Sequence, residues 1–251
     1  MKPTVAVCGL GLVGGSLARA LTKRGFAVVG IDRPGPLGKA RAARAIARSA
    51  RLETALAEAD VLVLAAPPRA NLRLLRRVAR RARPGLVVTD VTSVKRPMVR
   101  EARRLGLAGF VGGHPMAGRE RAGFDASAAD LFRGRPWILT GGRPGAEAAV
   151  RRLVRATGAR PVSMDAAQHD RVVARLSHLP QLVAWALLEA AHRDATTARR
   201  LALAGPGFGD MTRLARSPRR LWRDILEANR DEVARALRDL RAALSSRSLF
   251  R

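Results

Sequence analysis

The chain contains no tyrosine and one cysteine, and only 4% of its 251 residues are aromatic. Cys8 has no partner for an internal disulfide, which excludes a disulfide-stapled secreted scaffold. It lies inside an apolar run, where a thiol behaves as a small hydrophobe. No apolar run reaches the roughly 18 residues of a membrane-spanning helix. Met1-Lys2-Pro3-Thr4 leads directly into an apolar run, leaving no room for a signal peptide. A cytoplasmic protein without membrane contact is expected. Lysine is scarce too, standing only at Lys2, Lys23, Lys39 and Lys95, although Lys and Arg together number 47 against 20 Asp and Glu, for a net charge of +27. The arginines are scattered over every predicted helix among alanines, with no basic stretch interleaved with aromatics. This reads as a composition bias, and no nucleic-acid partner is expected. The positive field favours encounter with small anions, a dinucleotide or a dicarboxylate among them.

What the chain does have is a glycine turn. The apolar run Val5-Ala6-Val7-Cys8 ends at Gly9. Gly11 and Gly14 follow, and an apolar-periodic segment runs to Arg24. This is G-x-G-x-x-G between a predicted strand and a predicted helix. In such a turn Gly9 permits the tight bend, Gly11 lets the backbone approach a pyrophosphate, and Gly14 lets the helix pack on the strand. The N–H groups at Leu12 and Val13 would face the diphosphate. A second apolar run, Ala27 to Ile31, ends at Asp32, the expected place for a carboxylate that binds an adenosine ribose. Asp32 repels the extra phosphate of NADP, whereas the adjacent Arg33 attracts it. NAD is the expected cofactor and NADP the alternative.

The remaining first half alternates strands and helices. Pro34-Gly35-Pro36-Leu37-Gly38 reads as a loop before an Arg- and Ala-rich helix. Asp60 to Pro67 reads as a buried parallel strand whose end, Ala66-Pro67, lies where ligands sit in open α/β sheets. Leu86 to Asp90 is the next strand. Beyond it, Ser93 and Lys95 either touch nicotinamide ribose or substrate, or Ser93 caps the helix beginning near Lys95; spacing leaves both open. His114 lies between a short strand and a glycine-rich loop, flanked by Gly112, Gly113 and Gly118. An accessible imidazole there suits the removal of an alcohol proton during hydride transfer.

These residues carry a resemblance. Gly9 to Ala18, Asp90-Val-Thr-Ser-Val-Lys95, Gly112-Gly-His-Pro-Met-Ala-Gly118, Leu176-Ser-His-Leu-Pro180 and Gly207-Phe-Gly-Asp-Met-Thr-Arg213 together resemble the prephenate/arogenate dehydrogenases of tyrosine biosynthesis. The first segment is generic to nicotinamide enzymes; the third, fourth and last, in this order, are specific. The resemblance implies an α/β Rossmann-type dinucleotide-binding domain over residues 1–164 and an all-helical substrate and dimerisation domain over 165–251. It implies oxidative decarboxylation of prephenate with NAD reduction, by a homodimer. By position, His114 accepts the substrate's hydroxyl proton and Ser93 orients it. Arg213 binds a carboxylate, His178 and Glu120 line the substrate pocket, and Trp222 supports its wall. Many relatives have lysine where this chain has Gly209, and Arg119 is a candidate replacement. Arogenate as substrate, another Rossmann hydroxy-acid or imine dehydrogenase, and a non-catalytic NAD-binding protein are the alternatives.

The second half reads as helices only. Asp165-Ala166-Ala167-Gln168 is a capping box opening the first of them. His169-Asp170 is expected to be an exposed or capping pair, and Pro180 to kink its helix and expose His178 near the cleft. Gln181 to Arg193 is apolar on most faces, which suggests burial. Gly205 to Gly209 reads as a loop with Asp210 as a cap. Ser217-Pro218 opens one last helix, striped by Leu221, Ile225, Asn229, Val233, Leu237, Leu240 and Leu244 as core or dimer seam. The four histidines, His114, His169, His178 and His192, show no metal-ligand spacing, and no metal is expected. The end at Arg251 is taken to leave no appended regulatory domain.

Overall fold

The computed structural model describes residues 2–119 and 121–246; the side chain of Leu221 also lies outside the described set. Two compact units result, Met1–His169 and Asp170–Arg251.

The first unit is built on one eight-stranded sheet. Its strands are β1 (Thr4–Cys8), β2 (Ala27–Ile31), β3 (Arg48–Ser49), β4 (Val61–Leu64), β5 (Val87–Asp90), β6 (Phe110–Pro115), β7 (Pro136–Thr140) and β8 (Arg160–Ser163). The spatial order is β3-β2-β1-β4-β5-β6-β7-β8. All neighbours run parallel except β6 and β7, whose register pairs His114 with Ile138. Continuous apolar strands flanked by helices on both faces produce this arrangement: all four residues of β4 are buried. Helices α1 (Leu12–Lys23), α2 (Pro34–Ala42), α3 (Leu52–Glu58), α4 (Pro68–Ala79), α5 (Arg96–Arg104) and α6 (Pro144–Ala156) supply the covering layers. Strand order reverses between β1 and β4, which opens a crevice at their carboxyl ends. The parallel run from β1 to β6 brings the segments after Cys8, Leu64 and Asp90, together with His114, to one edge of the sheet.

One expectation fails in this unit. Pro34 to Gly38 is the first turn of α2 and not a loop. Proline needs no N–H in a helix's first turn, so Pro34 opens the helix that its Pro/Gly composition disguised.

The helical unit contains the second half of α7 (Ala166–Val173), then α8 (Leu179–Arg193), α9 (Ala195–Arg199), α10 (Pro206–Thr212), α11 (Arg219–Ala228) and α12 (Arg230–Leu244); the division between units falls within α7. Asp165 caps α7, its Oδ1 accepting from the N–H groups of Ala167 (2.8 Å) and Gln168 (3.2 Å). Those bonds hold its carboxyl below the usual range. Between α7 and α8 the chain widens into a π-helical turn, Ala174–His178. Pro180 follows in the first turn of α8. The wider turn leaves room for the proline ring. His178 is buried and not exposed.

Three further expectations fail here. Gly205 to Gly209 is largely helix, because Pro206 opens α10, and Asp210 is interior to that helix and not its cap. Ser217 makes no side-chain cap to α11. The single last helix is two, broken at Asn229 (φ −125°, ψ 24°). The buried Asn229 side chain donates to the Asp170 carbonyl (2.8 Å), a tertiary bond that wins over helix continuity. The apolar α8 buries only Gln181 and Ala184 completely.

Candidate active site

The glycine turn has the geometry its spacing predicts. Gly9 has φ +103°, and a Cβ there would lie 2.6 Å from the Ala65 backbone. A Cβ on Gly14 would lie 1.8 Å from the Gly9 carbonyl oxygen. Both positions therefore require glycine for protein reasons. Gly11 differs: a Cβ there would meet no protein atom within 4 Å. No side chain caps the N-terminus of α1, where Leu12 and Val13 form the first turn. That terminus, with its free N–H groups and open approach at Gly11, fits a diphosphate.

Asp32 ties the turn together. Its Oδ2 accepts from the Leu10 N–H (2.6 Å) and its Oδ1 from the Arg33 N–H (2.7 Å). A carboxylate retains further acceptor sites, so a ribose hydroxyl fits beside these bonds. Arg33 is exposed. The Ala66 N–H is taken by the Oδ1 of Asn71 (3.1 Å), and Pro67 precedes α4. Asn71, wholly buried, also donates to the Leu64 carbonyl (3.0 Å) and thereby shapes the end of β4. Nothing in its helical periodicity marked it out. Burial raises the Cys8 thiol to about 11, with the Asp32 charge adding to the effect, so it remains protonated and inert.

His114 stands near the end of β6 and is 8% exposed. Its backbone is fixed through the preceding residue. Gly113 N–H donates to Asp90 Oδ1 (3.0 Å), and Lys95 Nζ donates to the Gly113 carbonyl (2.6 Å). Lys95 Nζ also pairs with Asp90 Oδ2 (2.6 Å), and both side chains are completely buried. Thr92 contributes its N–H (2.9 Å) and its hydroxyl to the same carboxylate oxygen. Lys95 is thus a structural cation beneath the site and not a group lying against ribose or substrate. Ser93 is half-buried between β5 and α5, and α5 has no side-chain cap, so the capping alternative fails. The segment after β6 is anchored to α1: Ser16 Oγ accepts from Ala128 N–H (3.0 Å), and Arg19 Nε donates to Ser127 Oγ (2.9 Å).

The largest correction concerns His169. It is neither exposed nor a cap but completely buried, and its Nε2 lies 2.8 Å from the Nδ1 of His114. Asp170 is equally buried. Fifty-five residues separate the two imidazoles, so no local spacing could join them.

In the helical unit, His178 and Trp222 meet edge-on, ring centroids 6.0 Å apart, and Trp222 meets Trp185 similarly at 6.4 Å. Arg213 is exposed on the short turn Arg213–Arg216. α8 pins this turn: Gln181 Nε2 donates to the Leu214 carbonyl (2.8 Å) and Trp185 Nε1 to that of Ala215 (3.2 Å). Glu120 lies outside the described residues. Among the described residues no group of three or more His, Cys, Asp or Glu is arranged to hold a metal ion, and no helix is long and apolar enough to cross a membrane.

Residues 17–163 match the family profile "Prephenate dehydrogenase, nucleotide-binding domain", and residues 165–248 match "Prephenate dehydrogenase, dimerization domain". The chain belongs to the prephenate dehydrogenase family. Within that family it is 34% identical over 248 residues to the prephenate dehydrogenase of Bacillus subtilis (strain 168), a match covering 93% of this chain and 66% of that protein. The chain therefore spans just under two thirds of that relative's length. The crystal structure of prephenate dehydrogenase from Aquifex aeolicus, in complex with hydroxyphenyl propionate and NAD+, superposes with a TM-score of 0.90 at 30% identity, covering 97% of this chain and 88% of that one. Synechocystis arogenate dehydrogenase gives 0.84 at 31% identity, covering 96% and 89%.

Proposed function

We propose that this chain catalyses the NAD-dependent oxidative decarboxylation of prephenate to 4-hydroxyphenylpyruvate. The observation that carries the reading is His114, an almost buried imidazole on the sheet edge that also bears the glycine turn. Its backbone is clamped by the Asp90–Lys95 pair. Residues 1–164 would bind the cofactor through Gly9, Gly11, Leu12, Val13, Gly14, Asp32 and Arg33. Ala66 and Pro67 would border the crevice. Asp32 favours NAD over NADP, because a carboxylate repels the extra phosphate.

When bound, the nicotinamide supplies the hydride acceptor. His114 takes the proton of the substrate's ring hydroxyl as carbonyl character develops there, then returns it to the phenol oxygen once carbon dioxide has left. Ser93 orients His114 and the hydroxyl. In residues 165–251, Arg213 holds a substrate carboxylate by a bidentate contact, and His178, Glu120 and Trp222 shape the pocket. Aromatisation of the substrate drives the reaction, so the chain's work is positioning and proton handling. The dimerisation profile and the large apolar side chains left exposed in the helical unit support a homodimer. A cytoplasmic location accords with a lone, buried cysteine.

Similarity to an arogenate dehydrogenase favours arogenate as a second substrate. The test is the rate of nicotinamide reduction with prephenate and with arogenate, each with NAD and NADP. Turnover of prephenate with NAD is expected, together with a fall of about 10²–10⁴-fold in kcat for His114→Ala. No turnover of either substrate would overturn the reading. Near wild-type turnover by His114→Ala would overturn the role of the imidazole.

A further inference from the structure

The two buried imidazoles share one proton. His114 Nδ1 and His169 Nε2 are 2.8 Å apart, with ring centroids 5.1 Å apart and planes inclined at 74°. That centroid separation arises when both joining nitrogens and both centroids lie nearly on one line. The proton then lies in both ring planes, as a nitrogen lone pair requires, and not over a π face.

The chain fixes both rings from behind. His169 occupies the first turns of α7, where its N–H donates to the Asp165 carbonyl (2.8 Å) and the Asp165 side chain caps the helix. His114 follows Gly113, whose N–H and carbonyl are both engaged by the Asp90–Lys95 pair. The contact is thus held by two anchored backbones.

Only one placement of the shared proton suits a base. If His169 donated from Nε2, neutral His114 would carry its proton on Nε2 and could only donate to a substrate hydroxyl. If His114 donates from Nδ1, the lone pair sits on Nε2, and that nitrogen can act as an acceptor. We infer that His169 is a positioning residue, a neutral acceptor whose contact with His114 Nδ1 holds His114 in the tautomer able to take the substrate's proton. This rests on the proton-accepting role proposed for His114. When His114 becomes an imidazolium, the same His169 lone pair stabilises it, the service a buried aspartate performs for the histidine of a serine protease. A neutral nitrogen does so without placing a carboxylate near a dianionic substrate, where like charges would oppose binding.

With four histidines in the chain, the ¹⁵N resonances of their rings report the tautomers directly, and spectra of the variants assign them. In the wild-type protein at neutral pH, His114 and His169 are both expected with the proton on Nδ1. Gln places an amide near the position of His Nε2, so His169→Gln should preserve the His114 tautomer and hold kcat within a few-fold of wild type. His169→Leu should shift His114 toward the Nε2–H form. It should also lower kcat by about 10- to 10⁴-fold with KM almost unchanged, the range between loss of a partner that orients a metal-bound histidine and loss of one that fixes a catalytic histidine's tautomer. His114 protonated on Nε2 in the wild-type protein would overturn the inference. So would a folded His169→Gln as impaired as His169→Leu, or a His169→Leu with unaltered tautomer and kcat. If His169→Leu fails to fold, the wild-type spectrum and the Gln variant still decide. Should His114→Ala retain full activity while the wild-type tautomers are as expected, the reading of His114 as base fails and the hydrogen-bond assignment stands.

Discussion

The two units bury their sequences in opposite ways. In Met1–His169 the strands β1, β4 and β5 are almost wholly enclosed, and the two large apolar clusters are made almost entirely of side chains before residue 160. Even the charges inside it are matched, as Lys95 with Asp90. In Asp170–Arg251 the fully buried set is small and unusually polar, including Asp170, His178, Gln181, Asn229 and Glu232. Meanwhile Leu176 is 73% and Leu203 77% exposed, and Met211 and Leu244 stand more than half exposed. A mostly parallel sheet wrapped in helices completes its own core. Short amphipathic helices with polar interiors leave apolar surface for another surface to cover.

Three changes would break or sharpen this contrast. The largest acts inside the first unit. Lys95→Met leaves the Asp90 carboxylate buried without its cation, and removing one partner of a buried pair costs about 3–5 kcal/mol. Urea unfolding followed by near-ultraviolet absorption, in a Trp185→Phe, Trp222→Phe background that leaves Trp137 as the one tryptophan, should show that loss, and a change below about 1 kcal/mol would mean that the pair contributes little. The second acts on the exposed apolar side chains of the helical unit. Leu176→Asp combined with Leu203→Asp should convert a dimer into a 26.9 kDa monomer in sedimentation equilibrium. A monomeric wild-type protein, or a double variant that remains dimeric, would remove the basis for assigning these side chains to a partner surface. The smallest acts on the surface of the first unit. Hydrogen bonds from Arg104 and then Arg76 lower the Glu101 carboxyl from 4.5 to about 2. A depressed carboxyl stabilises the fold above its unfolded value and loses that contribution as pH falls through the folded one. The Tm difference between wild type and Glu101→Gln should therefore be constant above about pH 4.5 and shrink toward pH 2. A difference unchanged between these limits would exclude the ion pair as its source.

Local chemistry made much of the first unit legible. Gly9 and Gly14 could be assigned their roles because those roles concern the immediate backbone, and strand periodicity placed Asp32 and His114 at strand ends. Errors came where one local rule competed with another. Pro34 and Pro206 read as loop breakers, although a first helical turn tolerates proline. Asn229 kept the apolar stripe's period yet breaks the helix, because its amide is used elsewhere.

The sequence alone determined the alternation of strands and helices, the glycine turn and the histidine at the lip of the sheet, since each depends on residues a few positions apart. Only the tertiary structure decided that Lys95 is buried against Asp90, that His178 lies inside the helical unit, and that His169 meets His114. Those contacts follow from chain segments converging across tens of residues, and burial, which sets whether a charge or an imidazole is solvated or paired, is a property of that convergence.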